Sequence, residues 1–461
     1  MTPKERYKKL KQHLKDENPV LLEVIQEYEK LDKIAHSLGF ISEEDSYTAN
    51  ISWWPLISVL GTFSAGKSSF INSYLGVKVQ QSGNQAVDDK FTVICYGNNE
   101  KPTTLPGLAL DADPRFPFYN ISEEVEKVAS GEGSRVNLYL QLKTVKSDNL
   151  KGKIIIDSPG FDADSQRDSI LRITHHIIDM SDLVLIFFDA RHPEPGAMRD
   201  TLEHLVSKTV EHRDGDKILY ILNQIDTTAY DDNLEDVIGA WQRALSQKGL
   251  ISGNFFAIYN EKAMVKIEDS AVEERLKRKK DEDLGRILER MEGVKVERAY
   301  RISKALEDFA KEMITSKLPL LKESLNRWGY KVLFVDILII LISLGAIGGA
   351  WFLGYIPPKP PVEMLISTAV GLFMLLLFVH FKARSLFAKK EIQKWQESGD
   401  EVIANAVAHN TRWYKPIFRI WSNSWIQKAS LKLESIVEYS RSAIRKLNDQ
   451  YVSPSGGIKE D

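Results

Sequence analysis

The sequence predicts an α/β fold class, in which a doubly wound sheet of the P-loop type is joined to an α-helical bundle and a transmembrane helical hairpin. Three observations predict it. Short apolar runs alternate with helical stretches between about residues 50 and 262, as in a sheet with helices on both faces. A glycine-rich phosphate-loop motif follows the first run, and two long apolar segments lie within residues 332–381.

The composition limits the possible partners and compartments. The chain has 461 residues, 43% of them hydrophobic, and 61 Lys and Arg against 64 Asp and Glu give a formal net charge of −3. This balance argues against a nucleic-acid partner, because nucleic-acid-binding surfaces are strongly basic. Cys95 is the only cysteine in the sequence, which excludes an internal disulfide and a cysteine-based metal site and favours a reducing compartment.

Residues 1–48 predict the N-terminal helices of the bundle. The segment is too rich in charge for a signal peptide, and Pro19 is the expected joint between two helices. Apolar residues recur at steps of three and four, which is typical of one face of an amphipathic helix. This stripe consists of Tyr7, Leu10, Leu14, Leu21, Val24, Ile25, Tyr28, Leu31 and Ile34.

Residues 49–262 predict a nucleotide-binding domain. The predicted strands are LISVLG, FTVICYG, VNLYLQL, KIIIDSPG, LVLIFFDA, KILYILNQID and FFAIYN. The first strand leads into residues 61–68, which fit the phosphate-loop pattern G-x-x-x-x-G-K-S and open a helix. Glycines at 61 and 66 let backbone N–H groups close around phosphates. Lys67 is expected to reach the β and γ phosphates, and the Ser68 hydroxyl to ligate Mg²⁺.

Two further motifs each follow a predicted strand. Residues 157–160 (DSPG) fit D-x-x-G, in which Asp157 holds Mg²⁺ through water and the N–H group of Gly160 meets the γ phosphate. Residues 223–226 (NQID) fit N-x-x-D, in which the Asp226 carboxylate accepts two N–H bonds from guanine. The three motifs together predict a nucleotide site at the carboxyl edge of the sheet.

Residues 263–331 predict another helical segment of the bundle, and residues 332–381 predict a membrane-inserted hairpin. The apolar stretches 332–353 and 364–381 reach roughly 33 and 27 Å at about 1.5 Å per residue, against about 30 Å for a bilayer core. A pair of buried core helices is the alternative. Gly345 and Gly349 favour close helix approach. Asp336 is better explained as a snorkelling or capped carboxylate than as a proton relay.

The distribution of charge predicts the orientation of the hairpin. Bases gather before the first apolar stretch and after the second, whereas the connection holds only Lys359. The positive-inside bias therefore places both termini and the nucleotide domain in the cytosol, at a bacterial inner membrane or an organelle membrane. Residues 382–452 predict the C-terminal helices of the bundle, with one apolar stripe from Trp413 to Leu447, and residues 453–461 predict a frayed tail.

The nucleotide motifs resemble those of the dynamin superfamily of large GTPases. The resemblance rests on GTFSAGKSS at 61–69, IIIDSPG at 154–160, LIFFDA at 185–190 and LNQID at 222–226. Over residues 55–260 the chain is particularly similar to the Eps-homology-domain (EHD) ATPases, which share an aromatic at the position of Phe63 and an FDA-containing strand. The hairpin resembles, in layout, that of mitofusins and bacterial dynamin-like proteins.

The resemblance implies a P-loop GTPase fold with GTP and Mg²⁺ as cofactors, and ATP as the alternative nucleotide. It implies that Lys67, Ser64 and Ser68 are catalytic and that Ser68 and Asp157 are metal ligands. The implied nucleotide-binding residues are Gly61, Phe63, Ser64, Ala65, Gly66, Lys67, Ser68, Ser69, Asp157, Gly160, Asn223, Gln224, Asp226 and Asn260.

Three positions depart from the family pattern. Phe63 replaces the glutamine of dynamins proper, and Gln224 replaces the lysine that packs on the base. The switch threonine is expected near Val87 or Asp88, and neither is a threonine; Thr92, the nearest, falls in a predicted strand. These departures predict slow or partner-dependent hydrolysis, or nucleotide binding without turnover, and Gln224 weakens the preference for guanine.

Three hypotheses for the function follow. The first is a membrane-anchored dynamin-like GTPase that forms nucleotide-dependent dimers through its nucleotide domain and remodels membranes by fusion, fission or tethering. The second is a slowly hydrolysing, membrane-bound switch or scaffold, and the third an EHD-like ATPase. The expected partners are a lipid bilayer and further copies of the chain, and not a nucleic acid.

Overall fold

The computed structural model describes residues 10–12, 14, 19–43, 45–81, 90–111, 121–122, 126, 135–160, 168–192, 217–247, 254–357, 359–415 and 424–451. The chain divides into two compact units. One unit is Asn50–Arg301, and the other combines Met1–Ala49 with Ile302–Asp461. The segment containing Val87 and Asp88 and the predicted tail at 453–461 lie outside the described residues.

The unit Asn50–Arg301 is built on a mixed eight-stranded sheet. Its strands are β1 (Leu56–Gly61), β2 (Phe91–Tyr96), β3 (Thr103–Pro106), β4 (Leu140–Val145), β5 (Ile154–Asp157), β6 (Leu183–Asp189), β7 (Ile218–Asn223) and β8 (Asn254–Ile258). They lie in the order β3-β4-β2-β5-β1-β6-β7-β8. The pairs β2/β5 and β3/β4 are antiparallel and the other five pairs are parallel. The predicted α/β fold class is confirmed.

Helices connect the strands and make up the second unit. They are α1 (Pro19–Leu38), α2 (Tyr47–Asn50), α3 (Lys67–Leu75), α4 (Leu108–Asp111), α5 (Val136–Tyr139), α6 (Asp168–Met180), α7 (Leu234–Gln247), α8 (Ser270–Glu312), α9 (Leu318–Phe352), α10 (Val362–Glu397), α11 (Glu401–Asn410) and α12 (Ser424–Tyr451). Single turns of 3₁₀ helix lie at Asp148–Leu150 and Ile225–Ala229, and a π-helical turn at Met313–Lys317.

The central strands are apolar on both faces because helices cover both faces of the sheet. In β6 successive side chains alternate between two cores: Val184, Ile186 and Phe188 join one cluster, and Leu183, Leu185 and Phe187 join the other. Trp241 of α7 packs edge-on against Phe188, with ring centroids 5.5 Å apart. The sheet is therefore a rigid platform for the loops at its carboxyl edge.

The antiparallel edge of the sheet differs from the sequence prediction. VNLYLQL was expected to be one strand, but Val136–Tyr139 forms a helical turn, and the strand begins at Leu140. β3 was not predicted, because it is only four residues long, contains Pro106 and is largely exposed, so it lacks an apolar run. β3 is thus an exposed edge strand without an apolar pattern, whereas the turn before β4 was misread because its alternating apolar residues, from Val136 on, continue into the strand.

The first part of α8 packs on the sheet. Ile287, Met291 and Val294 belong to the core cluster that β1 and β6 also line. Near the end of this unit, Arg298 and Arg301 donate to the buried Asp182 at 3.1 and 2.9 Å. The prediction placed all of residues 263–331 in the helical bundle, whereas the compact unit extends to Arg301 because the apolar face of α8 covers the sheet.

In the second unit, α9 and α10 form an antiparallel pair. The Trp328 indole donates to the carbonyl of Arg384 at 3.1 Å, and Lys331 pairs with Glu391 at 3.1 Å. Within the apolar stretches, His380 Nδ1 lies 2.8 Å from a carboxylate oxygen of Asp336. Both helices are long and apolar enough to cross a membrane, and only 6% and 0% of their most apolar segments are buried.

The end of the chain departs from the single stripe that was predicted. Trp413 is 75% exposed and lies in a turn between α11 and α12, not on a buried helical face. Ile417, Ile420 and Trp421 lie outside the described residues. From Ser424 onward the prediction holds, because Ala429, Leu433, Ile436 and Leu447 are buried along α12, as the i, i+3/i+4 spacing indicates.

Candidate nucleotide-binding site

The register of the sheet brings the predicted motifs to one edge. Gly61 at the end of β1 pairs with Phe187 of β6, and Val59 pairs with Asp157 at the end of β5. Asn223 at the end of β7 pairs with Asp189 at the end of β6. Because these strands are parallel, their carboxyl ends lie side by side, and the loops that follow them share one surface.

The phosphate loop has a backbone that side chains other than glycine would disrupt. Gly66 caps α3 with φ +84°, and a Cβ atom there would lie 2.1 Å from the Asn223 Nδ2 atom. Ser64 takes a left-handed conformation with φ +60°, which is uncommon for a residue with a Cβ. Ser68 and Ser69 occupy the first turn of α3 and are half-buried. The loop therefore holds the N–H groups at the start of α3 in a fixed arrangement, suited to an anion.

Lys67 is folded back onto its own loop. Its Nζ atom donates to the carbonyls of Gly61 and Thr62 at 2.9 and 3.0 Å, and the residue is 7% exposed. Burial lowers the pKa of Lys67 to about 8, although the nearby Asp157 carboxylate opposes this shift. The ammonium group is therefore poorly solvated before any phosphate binds, and a bound phosphate would restore its lost electrostatic stabilisation.

Asp157 is held by a buried polar chain that the sequence did not reveal. Gln80 Nε2 donates to Asp157 Oδ2 at 2.6 Å, and Lys143 Nζ donates to Gln80 Oε1 at 2.6 Å. The three residues are 1–8% exposed. The available signal in the sequence was Lys143, which lies in the middle of β4. A lysine that is buried in a strand requires a polar partner, so its position could have indicated one.

The phosphate loop touches the D-x-x-G loop through Phe63. A Cβ atom built on Gly160 would lie 3.0 Å from Phe63 Cα and 3.1 Å from a ring carbon of Phe63. A side chain at position 160 would therefore be crowded by Phe63 where the aromatic ring lies against the second loop. The aromatic that replaces the family's glutamine supplies an apolar contact and has no hydrogen-bonding group for water.

The N-x-x-D motif is fastened to the phosphate loop. Asn223 Nδ2 donates to the carbonyl of Ala65 at 2.8 Å, and Gln224 Nε2 donates to the carbonyl of Ser64 at 2.7 Å. Gln224 itself is left-handed, with φ +65°. The amide that stands in the place of the family's lysine therefore braces the phosphate loop.

The groups expected to read the base lie farther along the same edge. Asp226 is 4% exposed, its Oδ2 atom accepts the backbone N–H of Val265 at 2.9 Å, and burial raises its pKa. Asn260 follows β8, and its Oδ1 atom accepts the N–H of Lys262 at 3.1 Å. One oxygen of the predicted guanine reader thus already has a backbone partner.

The oxygen ligands fit a magnesium ion, which prefers a few carboxylate and hydroxyl oxygens together with phosphate and water. Asp157 and Ser68 offer these groups at adjacent strand and helix ends. Among the described residues no group of three His, Cys, Asp or Glu side chains is placed to hold a metal. Thr92 is buried in β2, and its Oγ1 accepts from Gln141 at 2.8 Å, so it does not supply the switch hydroxyl.

Residues 57–225 match the model of the dynamin family. These residues form a dynamin-family domain. The matched segment contains the phosphate loop and the D-x-x-G motif and ends inside the N-x-x-D motif, so the fold and the family agree on where the nucleotide motifs lie. The expected dynamin-superfamily nucleotide domain is confirmed.

The dynamin-family domain is similar to curated relatives over part of their length. EH domain-containing protein 2 from Rattus norvegicus is 28% identical over 200 residues, which are 42% of this chain and 34% of that protein. EH domain-containing protein 1 from Bos taurus is 26% identical over 184 residues, 37% of this chain and 31% of that protein. The chain thus matches about a third of the length of these relatives.

Two solved structures are also similar at a lower level. One belongs to an oligomerised bacterial dynamin pair described as providing a mechanism for long-range sensing and tethering of membranes; its TM-score is 0.38 at 16% identity, over 97% of this chain and 80% of that chain. The other is Toc33 from Arabidopsis thaliana, with a TM-score of 0.27 at 13% identity, over 60% of this chain and 92% of that chain. Likeness at this level supports no inference.

Proposed function

We propose that the protein is a membrane-anchored dynamin-like GTPase whose nucleotide cycle drives self-association and membrane remodelling by fusion, fission or tethering. The observation that carries the proposal is that one chain contains both a nucleotide-binding domain and a long apolar hairpin. A dynamin-family domain gathers three nucleotide motifs at one sheet edge, and two long apolar helices, α9 and α10, pair with their side chains exposed.

The chain's own residues would act on the nucleotide in distinct ways. The Lys67 ammonium would leave the carbonyls of Gly61 and Thr62 for the β and γ phosphates, while N–H groups at the start of α3 hold the phosphates in place. Asp157, held by Gln80, and the Ser68 hydroxyl would hold Mg²⁺, which supplies charge neutralisation at the phosphates when bound.

The membrane anchor is supported by what the hairpin leaves uncovered. Soluble core helices bury their apolar side chains, whereas only 6% and 0% of the most apolar segments of α9 and α10 are buried here. The two ionisable groups inside the apolar stretches, Asp336 and His380, contact each other, which reduces the cost of placing them in lipid. The flanking bases support an orientation with both termini and the nucleotide domain in the cytosol.

A slowly hydrolysing switch or scaffold is the second candidate, and Thr92 favours it. The only threonine near the expected switch position is buried in β2 and hydrogen-bonded to Gln141, and Phe63 provides no group to orient water. Turnover near zero with intact nucleotide affinity would support this candidate over a remodelling enzyme.

The identity of the nucleotide is a separate question. We propose GTP, with Asp226 as the guanine reader, and the similarity to the EHD ATPases keeps ATP as the alternative. A competition titration of GTP against ATP decides between them. A preference for ATP would remove the role of Asp226, and loss of the GTP preference in an Asp226→Asn variant would support it.

Proteoliposomes containing the full chain test the proposal as a whole. Vesicle shape, fusion and protein sedimentation are measured with GTP, with ATP and without nucleotide. We expect nucleotide-dependent self-association and vesicle remodelling by the wild type and by Lys101→Ala, which removes an exposed lysine of the same domain. Lys67→Ala should lose both. Identical behaviour of all three proteins would refute the remodelling function.

A further inference from the structure

An exposed aromatic turn lies beside the base of the hairpin. The aromatic turn comprises residues 412–415, closed by a hydrogen bond from the Lys415 N–H to the Arg412 carbonyl at 3.0 Å. Trp413 and Tyr414 are 75% and 57% exposed, and their rings meet edge-to-face at 6.0 Å. Two large adjacent aromatics on an open turn are unusual on a surface that faces only water.

A buried arginine fastens the aromatic turn to α10. One guanidinium nitrogen of Arg384, Nη2, donates to the carbonyls of Arg412 and Lys415 at 2.9 and 2.7 Å. It therefore binds both the first and the last residue of the turn. Arg384 is 7% exposed, and its guanidinium lies over the Trp328 ring at 5.3 Å. The turn is therefore held at the height of this arginine and is not a loose loop.

The height of Arg384 can be read from the hairpin. On α9, the exposed aromatics Tyr330 and Trp351 are 62% and 64% exposed. At about 1.5 Å per residue they lie roughly 32 Å apart along the helix, which matches the roughly 30 Å of a bilayer core. Trp328, which contacts Arg384, is one half-turn outside Tyr330. Tyrosine and tryptophan prefer the headgroup region of a bilayer. Arg384 and the aromatic turn that it binds are therefore expected at the depth of the headgroups.

The charges around the turn suit anionic lipid. Arg412 is exposed within the turn, and the side chains of Lys382, Lys389 and Lys390 are exposed on the adjoining part of α10. On α10 the acid beside these lysines, Glu391, is buried and is bound by Lys331 and Arg327, whereas the exposed Glu43 interacts electrostatically with Arg412. Exposed bases close to the membrane surface are attracted to an anionic leaflet.

We infer that the aromatic turn is a second membrane contact, in which Trp413 and Tyr414 insert among the anionic phospholipid headgroups of the leaflet at the hairpin base. The inference rests on the proposed membrane anchoring. It adds a lateral contact that fixes the base of the hairpin against the surface of the bilayer.

Depth-dependent quenching tests the inference in the full chain. Single cysteines are placed in a Cys95→Ala background at Trp413, at Leu341 in the middle of the first apolar stretch, and at Tyr230 in the nucleotide domain. The last two positions are 61% and 96% exposed, so all three accept an environment-sensitive fluorophore. The labelled proteins are reconstituted in phosphatidylcholine vesicles with and without phosphatidylglycerol, carrying quenchers either at the headgroup or deep in the acyl chains.

Position 413 should be quenched by the headgroup probe, position 341 by the deep probe and position 230 by neither. Omitting phosphatidylglycerol should reduce quenching at 413 by about twofold and leave 341 unchanged. If 341 is not quenched, the membrane anchor itself is refuted. If 341 is quenched and 413 is not, the hairpin inserts but the aromatic turn faces water, a second copy or another protein, and the inference fails.

Discussion

Lys67 should make nucleotide binding depend on pH in a range where most side chains do not titrate. In the structure its ammonium is buried, and its pKa is lowered to about 8. Bound phosphates would raise that pKa, because they bring negative charge to the ammonium. The bound state then holds more protons than the free state above pH 8, so affinity should fall as the pH rises through 8.

The size of the effect follows from the fraction of protonated lysine in the free protein. With a pKa of about 8, that fraction is about 0.9 at pH 7 and about 0.1 at pH 9. The affinity should therefore weaken about tenfold between pH 7 and pH 9, which corresponds to about 1.4 kcal/mol. Binding at pH 9 should take up about 0.9 proton per nucleotide, and binding at pH 7 about 0.1.

Isothermal titration calorimetry with a non-hydrolysable GTP analogue and Mg²⁺ measures both quantities. Repeating the titration in buffers with different ionisation enthalpies gives the proton uptake directly. Lys67→Arg is the control, because an arginine stays charged throughout this range and its affinity should be flat in pH even if it is weaker. A wild-type affinity that changes less than about twofold between pH 7 and pH 9 would refute the reasoning, because it would mean that the buried lysine is still charged at pH 9.

Further expectations concern the scaffold of both units. Gly66→Ala should abolish nucleotide binding, because the added Cβ would lie 2.1 Å from Asn223 Nδ2. Gly76→Ala is the control, because Gly76 is also left-handed but its added Cβ would meet no atom within 4 Å. This variant should lose only about 1 kcal/mol of stability in chemical unfolding and should still bind nucleotide. Asp182→Ala should lower the free energy of unfolding by about 3–5 kcal/mol, since it leaves two arginines and a backbone N–H without their shared carboxylate; a loss below about 1 kcal/mol would contradict this. Hydrogen bonds from Lys and Arg, chiefly Lys311, lower the pKa of Glu307 to about 2. The contribution of the ionised Glu307 carboxylate to the stability of the fold should be complete above about pH 4.5 and lost as the pH falls towards 2. The difference in melting temperature between wild type and Glu307→Gln should therefore shrink over that range.

The chain's motifs could be located from sequence because each depends on local chemistry. A phosphate loop needs glycines, a lysine and a hydroxyl within eight residues, and apolar runs in parallel strands are continuous because both faces are buried. The two apolar helices of the hairpin could also be predicted from the sequence, because a long stretch without charge is sufficient to identify them. The exposed edge strand β3 was missed because it has no apolar run, and the helical turn before β4 was misread as strand because its alternating apolar residues continue into β4.

The sequence by itself determined the buried central strands, the three nucleotide motifs and the two apolar helices, because these follow from the order and spacing of residues along the chain. Only the tertiary structure decided which distant side chains meet. Lys143 reaches Asp157 through Gln80, Gln224 braces the phosphate loop, and Arg384 grips both ends of the turn that carries Trp413. Such pairings arise from strand register and helix packing, which bring together residues tens of positions apart, and no local pattern encodes that distance.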